Sequence, residues 1–457
     1  MGVLASRRDS NWIACIDFGT ALSKVAMVAA IDSDELQPDY IKPLYLVDTP
    51  GQKSFLLPSV IFVTEEHLLF GREAEQAAIR SEASGRHALV SPKQYLSTHD
   101  PEDFDERLPT DIDPTGQFSA RDLLRLYLGH LLERAAVDAK LQRLPWPVPL
   151  RVARPAWRTE RAERGERTLK ALVRDGFALV DHLGSALSAK GGVHHGAALH
   201  ALARLTAMTP AQERNIFKLS KGTASVLEAT AVAAGTVRPT GRRMIAVADI
   251  GAGTSDFAAF MTGLPNRNVL AEIRGSSRIL HKAGDYLDMQ LRRYIIDKAG
   301  LLPDDPAARG ASNRLRANAR RNKETLFSDG RLTVQVGEDL LEVTSQEFLA
   351  DKYVIGFAAQ LRDEFHETLK IAVSCARSYS PPGFQAPVEI LLTGGGHVLP
   401  MVRELLEAPS VSWSYREAAP DLAERPEDIA FHSVRRQLAV AIGGAVRDLP
   451  VIVASVS

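Results

Sequence analysis

The stretch IACIDFGTALSKVAMVAA, residues 13–30, decides how the chain reads. Two apolar runs, 13–18 and 25–30, flank a turn over Gly19–Lys24, a pattern that predicts two β-strands in a hairpin. The first strand ends in a carboxylate, Asp17, just before Gly19 and Thr20. A charge at the end of a buried strand is costly unless something pairs with it.

The chain repeats the design. Ala248-Asp249-Ile250-Gly251-Ala252-Gly253-Thr254-Ser255-Asp256 again runs an apolar strand into Asp, then glycine, then a threonine turn, then a second apolar strand. A third strand, Leu391-Leu392-Thr393, runs into Gly394, Gly395 and Gly396. Two hairpins this alike predict an internal duplication. Glycines let the backbone approach a ligand closely, so successive N–H groups can cradle an anion. The Thr20 and Thr254 hydroxyls add donors for phosphate oxygens. A carboxylate repels phosphate unless a cation stands between them. Asp17 and Asp249 therefore imply Mg²⁺, held through waters because that ion dehydrates reluctantly. The triple glycine, between a strand and a helix starting near Pro400, suits close approach to a nucleoside or its phosphate. No GxxxxGK[ST] occurs, which excludes a P-loop.

Bulk properties agree. A chain of 457 residues predicts two large lobes. With 55 basic and 56 acidic residues there is no basic field to bind nucleic acid. The two cysteines, Cys15 and Cys375, lie far apart, which fits a reducing, cytoplasmic compartment rather than a disulfide framework or zinc site. Residues 1–10 lack the apolar core of a signal peptide, and no apolar run approaches the ~18 residues of a spanning helix, so no membrane partner is expected.

Strands and helices interleave, which predicts the α/β class. Ser119-Ala-Arg-Asp122 forms a capping box ahead of a helical stripe of leucines. The Arg/Glu-dense residues 158–174 read as a solvated helix face. The Ala-, Gly- and His-rich stretch 185–222 reads as a mobile surface insertion, and residues 408–428 read as loop. His194, His195 and His200 do not read as a metal site, because no carboxylate or cysteine completes the set. Residues 223–235 form a small-residue helix with one acid, Glu228.

These residues resemble the actin-like ATPase superfamily, and within it the nucleotide-binding domain of the 70-kDa heat-shock (DnaK-type) chaperones. Besides the two hairpins, PSVIFV at 58–63, SPKQYL around Lys93, RVARPAW at 151–157 and LEATAVAAG around Glu228 are similar to segments of that family in the same order. So are HKAGDYLD at 281–288, NKETLFS at 322–328 and TGGGHVLPMVREL at 393–405. The resemblance implies two lobes of duplicated ribonuclease-H-like domains around a central nucleotide cleft. Lobe I would cover 11–238, with the insertion at about 185–222, completed by a C-terminal helix over 430–457; lobe II would cover 239–429.

It implies ATP and Mg²⁺ as ligands, with Asp17 and Asp249 holding the hydrated metal. Gly19, Thr20, Ala21, Gly251, Ala252, Gly253, Thr254 and Asp256 would surround the phosphates. Gly284, Lys323, Gly394, Gly395 and Gly396 would complete the nucleotide site. Lys93 would stabilise charge at the γ-phosphate, and Glu228 would orient the metal shell and the attacking water.

Departures from the family lie at Ala21 and Leu22, where it has threonine and an aromatic. They lie also in the adenosine pocket, at Arg320, Glu324, Phe327 and Val398. No segment among these residues resembles the family's peptide-binding domain, so the resemblance leads us to expect a separate protein partner that supplies client binding. The implied activity is slow ATP hydrolysis driving a conformational switch in protein folding or assembly. Two alternatives are a non-hydrolysing pseudo-ATPase scaffold and an actin-like filament-forming ATPase.

Overall fold

The computed structural model describes residues 11–30, 40–49, 52–81, 84–155, 157, 159–205, 225–237, 241–263, 270–302, 306–337, 339–379, 387–407, 413–418 and 429–453. Strands β1 (Asn11–Asp17) and β2 (Leu22–Ala30) form the hairpin read from the sequence, with Asp17 opposite Lys24. β3 (Ile41–Pro43) runs antiparallel beyond β2. A short helix, α1 (Lys93–Thr98), follows. Next comes α2 (Ala120–Leu141), which starts where the capping box places it: Ser119 Oγ accepts from the Asp122 amide. β4 (Leu150–Arg154) then lies parallel to β1 on the side away from β2. After α3 (Thr159–Leu183) and α4 (His195–Leu205), β5 (Ser225–Leu227) adds parallel to β4 and runs straight into α5 (Glu228–Thr236). The strand order of this first sheet is β5-β4-β1-β2-β3.

The second half repeats the plan. β6 (Met244–Ile250) and β7 (Ser255–Met261) form a hairpin with Asp249 opposite Asp256, and β8 (Ala271–Ile273) follows antiparallel. Helices α6 (Gly284–Lys298), α7 (Ala319–Asp329) and α8 (Lys352–Tyr379) precede β9 (Val388–Thr393), which lies parallel to β6, and β10 (Tyr415–Glu417), parallel to β9. Helix α9 (Ile429–Gly444) and a last strand, β11 (Val451–Val453), parallel to β8, complete the described chain. The order β10-β9-β6-β7-β8 matches the first sheet strand for strand and direction for direction, with β11 added at its edge. The architecture is α/β, as the interleaved pattern predicts.

Three expectations change. The stretch from 185 does not stand off the surface over its described part: Val193–His194 pairs with His67–Phe70, and α4 buries His195, Ala198, Ala201 and Leu202. Ala198 and Ala201 form part of its packing face, while Ala197 and Ala203 are exposed. Residues 206–222 lie outside the described residues. The C-terminal segment expected to be helical over 430–457 is helical only to Gly444, because Leu449-Pro450 precedes the β-branched run of β11. Within the expected loop 408–428, Tyr415–Glu417 is the edge strand β10, and 408–412 and 419–428 lie outside the described residues.

Helices α5 and α9 lie between the two sheets and share one core with both. Cys15, Ala26 and Val28 come from the first sheet, Ile245, Val247, Ala258 and Phe260 from the second, and Ala231, Val232, Leu438 and Ala441 from the helices. The helices touch backbone to backbone: a methyl group on Gly443 would overlap the Ala231 carbonyl, and one on Gly235 would come within 2.8 Å of the Gly443 backbone. Larger side chains would force the helices apart.

Gly443→Val is therefore expected to destabilise the fold by about 3 kcal/mol or more. Gly356→Ala, at a helix position with open space around it, is expected to gain about 0.5–1 kcal/mol. Urea unfolding of both variants checks the contrast. A second expectation concerns His130, buried on α2 with Nδ1 2.6 Å from the Leu187 carbonyl. Burial pushes its pKa down to about 4. The unfolded chain takes up that proton first, so stability falls as pH drops from about 6.5 towards 4, by up to roughly 3 kcal/mol. His130→Asn should flatten that part of a stability–pH curve.

Candidate functional site

Asp17 ends β1 and Asp249 lies one residue from the end of β6, the matching strands of the two sheets, and Glu228 is the first residue of α5 between them. Packing of α5 and α9 thus brings three carboxylates from three elements together. Asp256 joins them from β7, directly opposite Asp249. Asp17, Glu228, Asp249, Asp256 and Lys93 are each at least nine-tenths buried. Lys93 reaches over from α1 and pairs with Glu228.

Burial opposes the Lys93 charge, but Glu228, Asp17 and Asp256 outweigh it, and its pKa lies above the ordinary lysine value. Asp249 is the strained member. Burial and then the charges of Glu228, Asp256 and Asp17 push its pKa well up, with Lys24 alone among its main neighbours acting the other way.

Lys24 escaped the sequence reading. It lies 2.6 Å from Asp17 Oδ2, mostly buried, and occupies the position in the first hairpin that Asp256 occupies in the second. Both follow their strand-end Asp by seven residues, so aligning the two copies exposes the charge reversal. Ser59 was also missed. Its Oγ donates to the Gly19 carbonyl at 2.7 Å and its amide to the Ala21 carbonyl at 2.9 Å. These bonds tie down the carbonyls of the first turn. In the second turn the Thr254 carbonyl accepts from the Gly251 amide.

The two turns meet: a methyl on Gly253 would lie 2.8 Å from Thr20 Oγ1. The start of α6 rests on the second turn, with the Gly284 and Asp285 amides donating to the Gly251 and Ala252 carbonyls at 3.3 and 2.8 Å. The triple glycine also belongs here, though not as a helix-end anion site. The α-helix that follows it is only Pro400–Arg403, too short for that role. Gly394, at φ 78°, packs where a methyl would reach within 2.5 Å of Asp249 Oδ1, and the Gly396 amide donates to the Ile250 carbonyl. The motif closes the back of the Asp249 position. Gly395 faces Gln437 instead.

The expected adenosine residues are arranged differently. Arg320 and Glu324 pair with each other at 2.8 Å in largely exposed positions. Lys323 holds α7 onto α6, 2.9 Å from both the Gly284 carbonyl and Asp288 Oδ1. Burial, partly offset by Lys323, raises the Asp288 pKa to about 6. Phe327 packs against Phe348 in the core, and Val398 faces solvent.

Among the described residues, no three His, Cys, Asp or Glu side chains stand close enough to ligate one metal directly. The donor set nonetheless fits a hydrated divalent cation. Carboxylates predominate in this buried space, and Asp249 and Asp256, directly opposite on a hairpin, repel each other. No helix among the described residues is long and apolar enough to cross a membrane. In comparisons with known proteins, no family model matches the chain, and no curated protein shows significant sequence similarity to it.

The charge deficit yields a testable sign. A carboxyl whose pKa rises on folding costs stability as pH rises from the unfolded value of about 4 through the folded value. Without divalent cations, Asp249→Asn should therefore raise Tm at neutral pH. Mg²⁺ should raise Tm of the wild-type protein, and this response should shrink in Asp249→Asn. Thermal melts with and without EDTA measure both.

Proposed function

We propose that the chain is an actin-like ATPase, most like the nucleotide-binding domain of the 70-kDa heat-shock chaperones, that binds ATP–Mg²⁺ between its two halves and hydrolyses it slowly. The observation that carries this reading is the meeting of Asp17 and Asp249, from matching strands of two sheets of equal topology, with Lys93 and Glu228 in one buried cluster. Duplicated sheets with paired phosphate hairpins are what a two-lobed nucleotide clamp requires.

Each residue then has a chemical task. Mg²⁺, when bound, would neutralise phosphate charge and polarise the bond to be broken. Asp17 and Asp249 would hold its water shell. The amides of the 19–21 and 251–254 turns, with the Thr20 and Thr254 hydroxyls, would bind phosphate oxygens. Lys93, kept charged by its surroundings, would meet charge developing on the transferred group. Glu228, released from Lys93, would accept a hydrogen bond from the attacking water. Such catalysis is placement plus electrostatics, because phosphoryl transfer asks little covalent work of the protein. A nucleotide-dependent change in how the halves meet would be read by a separate protein partner, in protein folding or assembly. The unpaired cysteines support a reducing, cytoplasmic setting.

A second reading, nucleotide binding without turnover, is favoured by Lys24 on Asp17 and by the altered adenosine residues. Calorimetry and phosphate release with ATP and GTP, with and without Mg²⁺, separate the two. The first reading expects Mg²⁺-dependent hydrolysis that falls by about 10²–10³-fold in Asp17→Asn and Asp249→Asn. Full activity in Asp249→Asn would sink it. Tight binding with no phosphate release would select the second.

A further inference from the structure

We propose that Asp285 is a positioning residue that latches the Lys93 segment across the boundary between the two halves, so that Lys93 occupies the site only while the halves are together. The role given to Lys93 rests on the ATPase reading above; the latch itself does not.

Asp285 lies at the start of α6 in the second half, its amide fixed to the Ala252 carbonyl of the second turn. Its carboxylate oxygen Oδ2 accepts from Ser91 Oγ at 2.8 Å and from Gln94 Nε2 at 2.9 Å, both in the first half. Lys93 lies between these two donors in sequence and points the other way, to Glu228. The segment is therefore gripped on two sides, by Asp285 from one half and Glu228 from the other.

The backbone of the segment is strained where the latch takes hold. Ser91 has φ 53°, a left-handed conformation that serine rarely adopts. Such a residue persists when its surroundings impose it. Pro92 follows, its ring fixing φ at −60°, so Ser91 and Lys93 are joined by a stiff link. When Asp285 lets go, Ser91 is free to relax, and rotation there swings Lys93 with it. Both latch bonds converge on one oxygen, so a small displacement of the second turn and α6 breaks them together. The state of the second turn, which would contact phosphate, is in this way coupled to the placement of a lysine in the other half.

The test uses the full chain with Asp285→Ala, Asp285→Asn and the pair Ser91→Ala/Gln94→Ala, which guards against a misfolded Asp285→Ala. The asparagine keeps a carbonyl oxygen to accept both bonds. Without nucleotide, amide hydrogen exchange at residues 93–98 should speed up about 10-fold or more in Asp285→Ala and in the double variant, and stay within about 3-fold of wild type in Asp285→Asn. Combining all three alanines should add little, as expected for groups acting through one contact. With ATP–Mg²⁺, kcat should drop about 10-fold in Asp285→Ala while KM moves by less than about 3-fold. Unchanged exchange at 93–98 in a folded Asp285→Ala or in the double variant overturns the latch. Faster exchange with unchanged kcat overturns the positioning of Lys93. A wild-type protein that neither binds nor hydrolyses a triphosphate overturns the ATPase reading instead, and the exchange result still decides the latch.

Discussion

Everything at the candidate site depends on how closely α5 and α9 pack. Each sheet has one face on this pair, and the distance between the sheets is set by glycine and alanine backbones in contact. Small residues bury little area each, so the layer is stable only when the fit is close and dispersion contacts are many. The same spacing has an electrostatic consequence. Glu228 is the first residue of α5, and Asp17 and Asp249 lie at or next to the ends of strands on either side. Wider helices would separate these carboxylates and let water in. Close helices hold them in a space too dry to screen one another.

The cluster that results is not neutral. Lys24 answers Asp17, and Lys93 answers Glu228, each as a direct pair. Asp249 and Asp256 face each other across a hairpin. Buried pairs of opposite charge roughly break even against apolar packing, whereas a buried like-charged pair is a net cost.

Much of this arrangement is written locally in the chain. Alternation and Asp-Gly-Thr spacing place both hairpins, and the capping box at Ser119 starts α2 on the expected residue. Asp17, Asp249, Lys93 and Glu228 could be named from their segments, and the fold brings them together. Lys24 was hidden because a lone lysine after an apolar run looks like a surface residue until the register sets it opposite Asp17. Ser91, Ser59 and Asp285 act through contacts over long sequence distances, which no local pattern carries. The alanines of α4 misled for a related reason. A small-residue stretch reads as loosely held by composition, yet small residues are what a tight helix contact needs.

The two hairpins began as copies in topology and differ in charge at one register position. That difference makes the site directional. Around Asp17 the protein supplies its own cation, Lys24, and the first turn has its carbonyls tied to Ser59. Around Asp249 the neighbouring charges are mostly negative, with Lys24 acting against them and Gly394 packed against the carboxylate from behind. The first hairpin thus presents a carboxylate with an ammonium group, and the second presents two carboxylates. The two sheets have equal topology, and Lys24 stands in one hairpin at the register position that Asp256 holds in the other, so a shared backbone plan carries two different balances of charge.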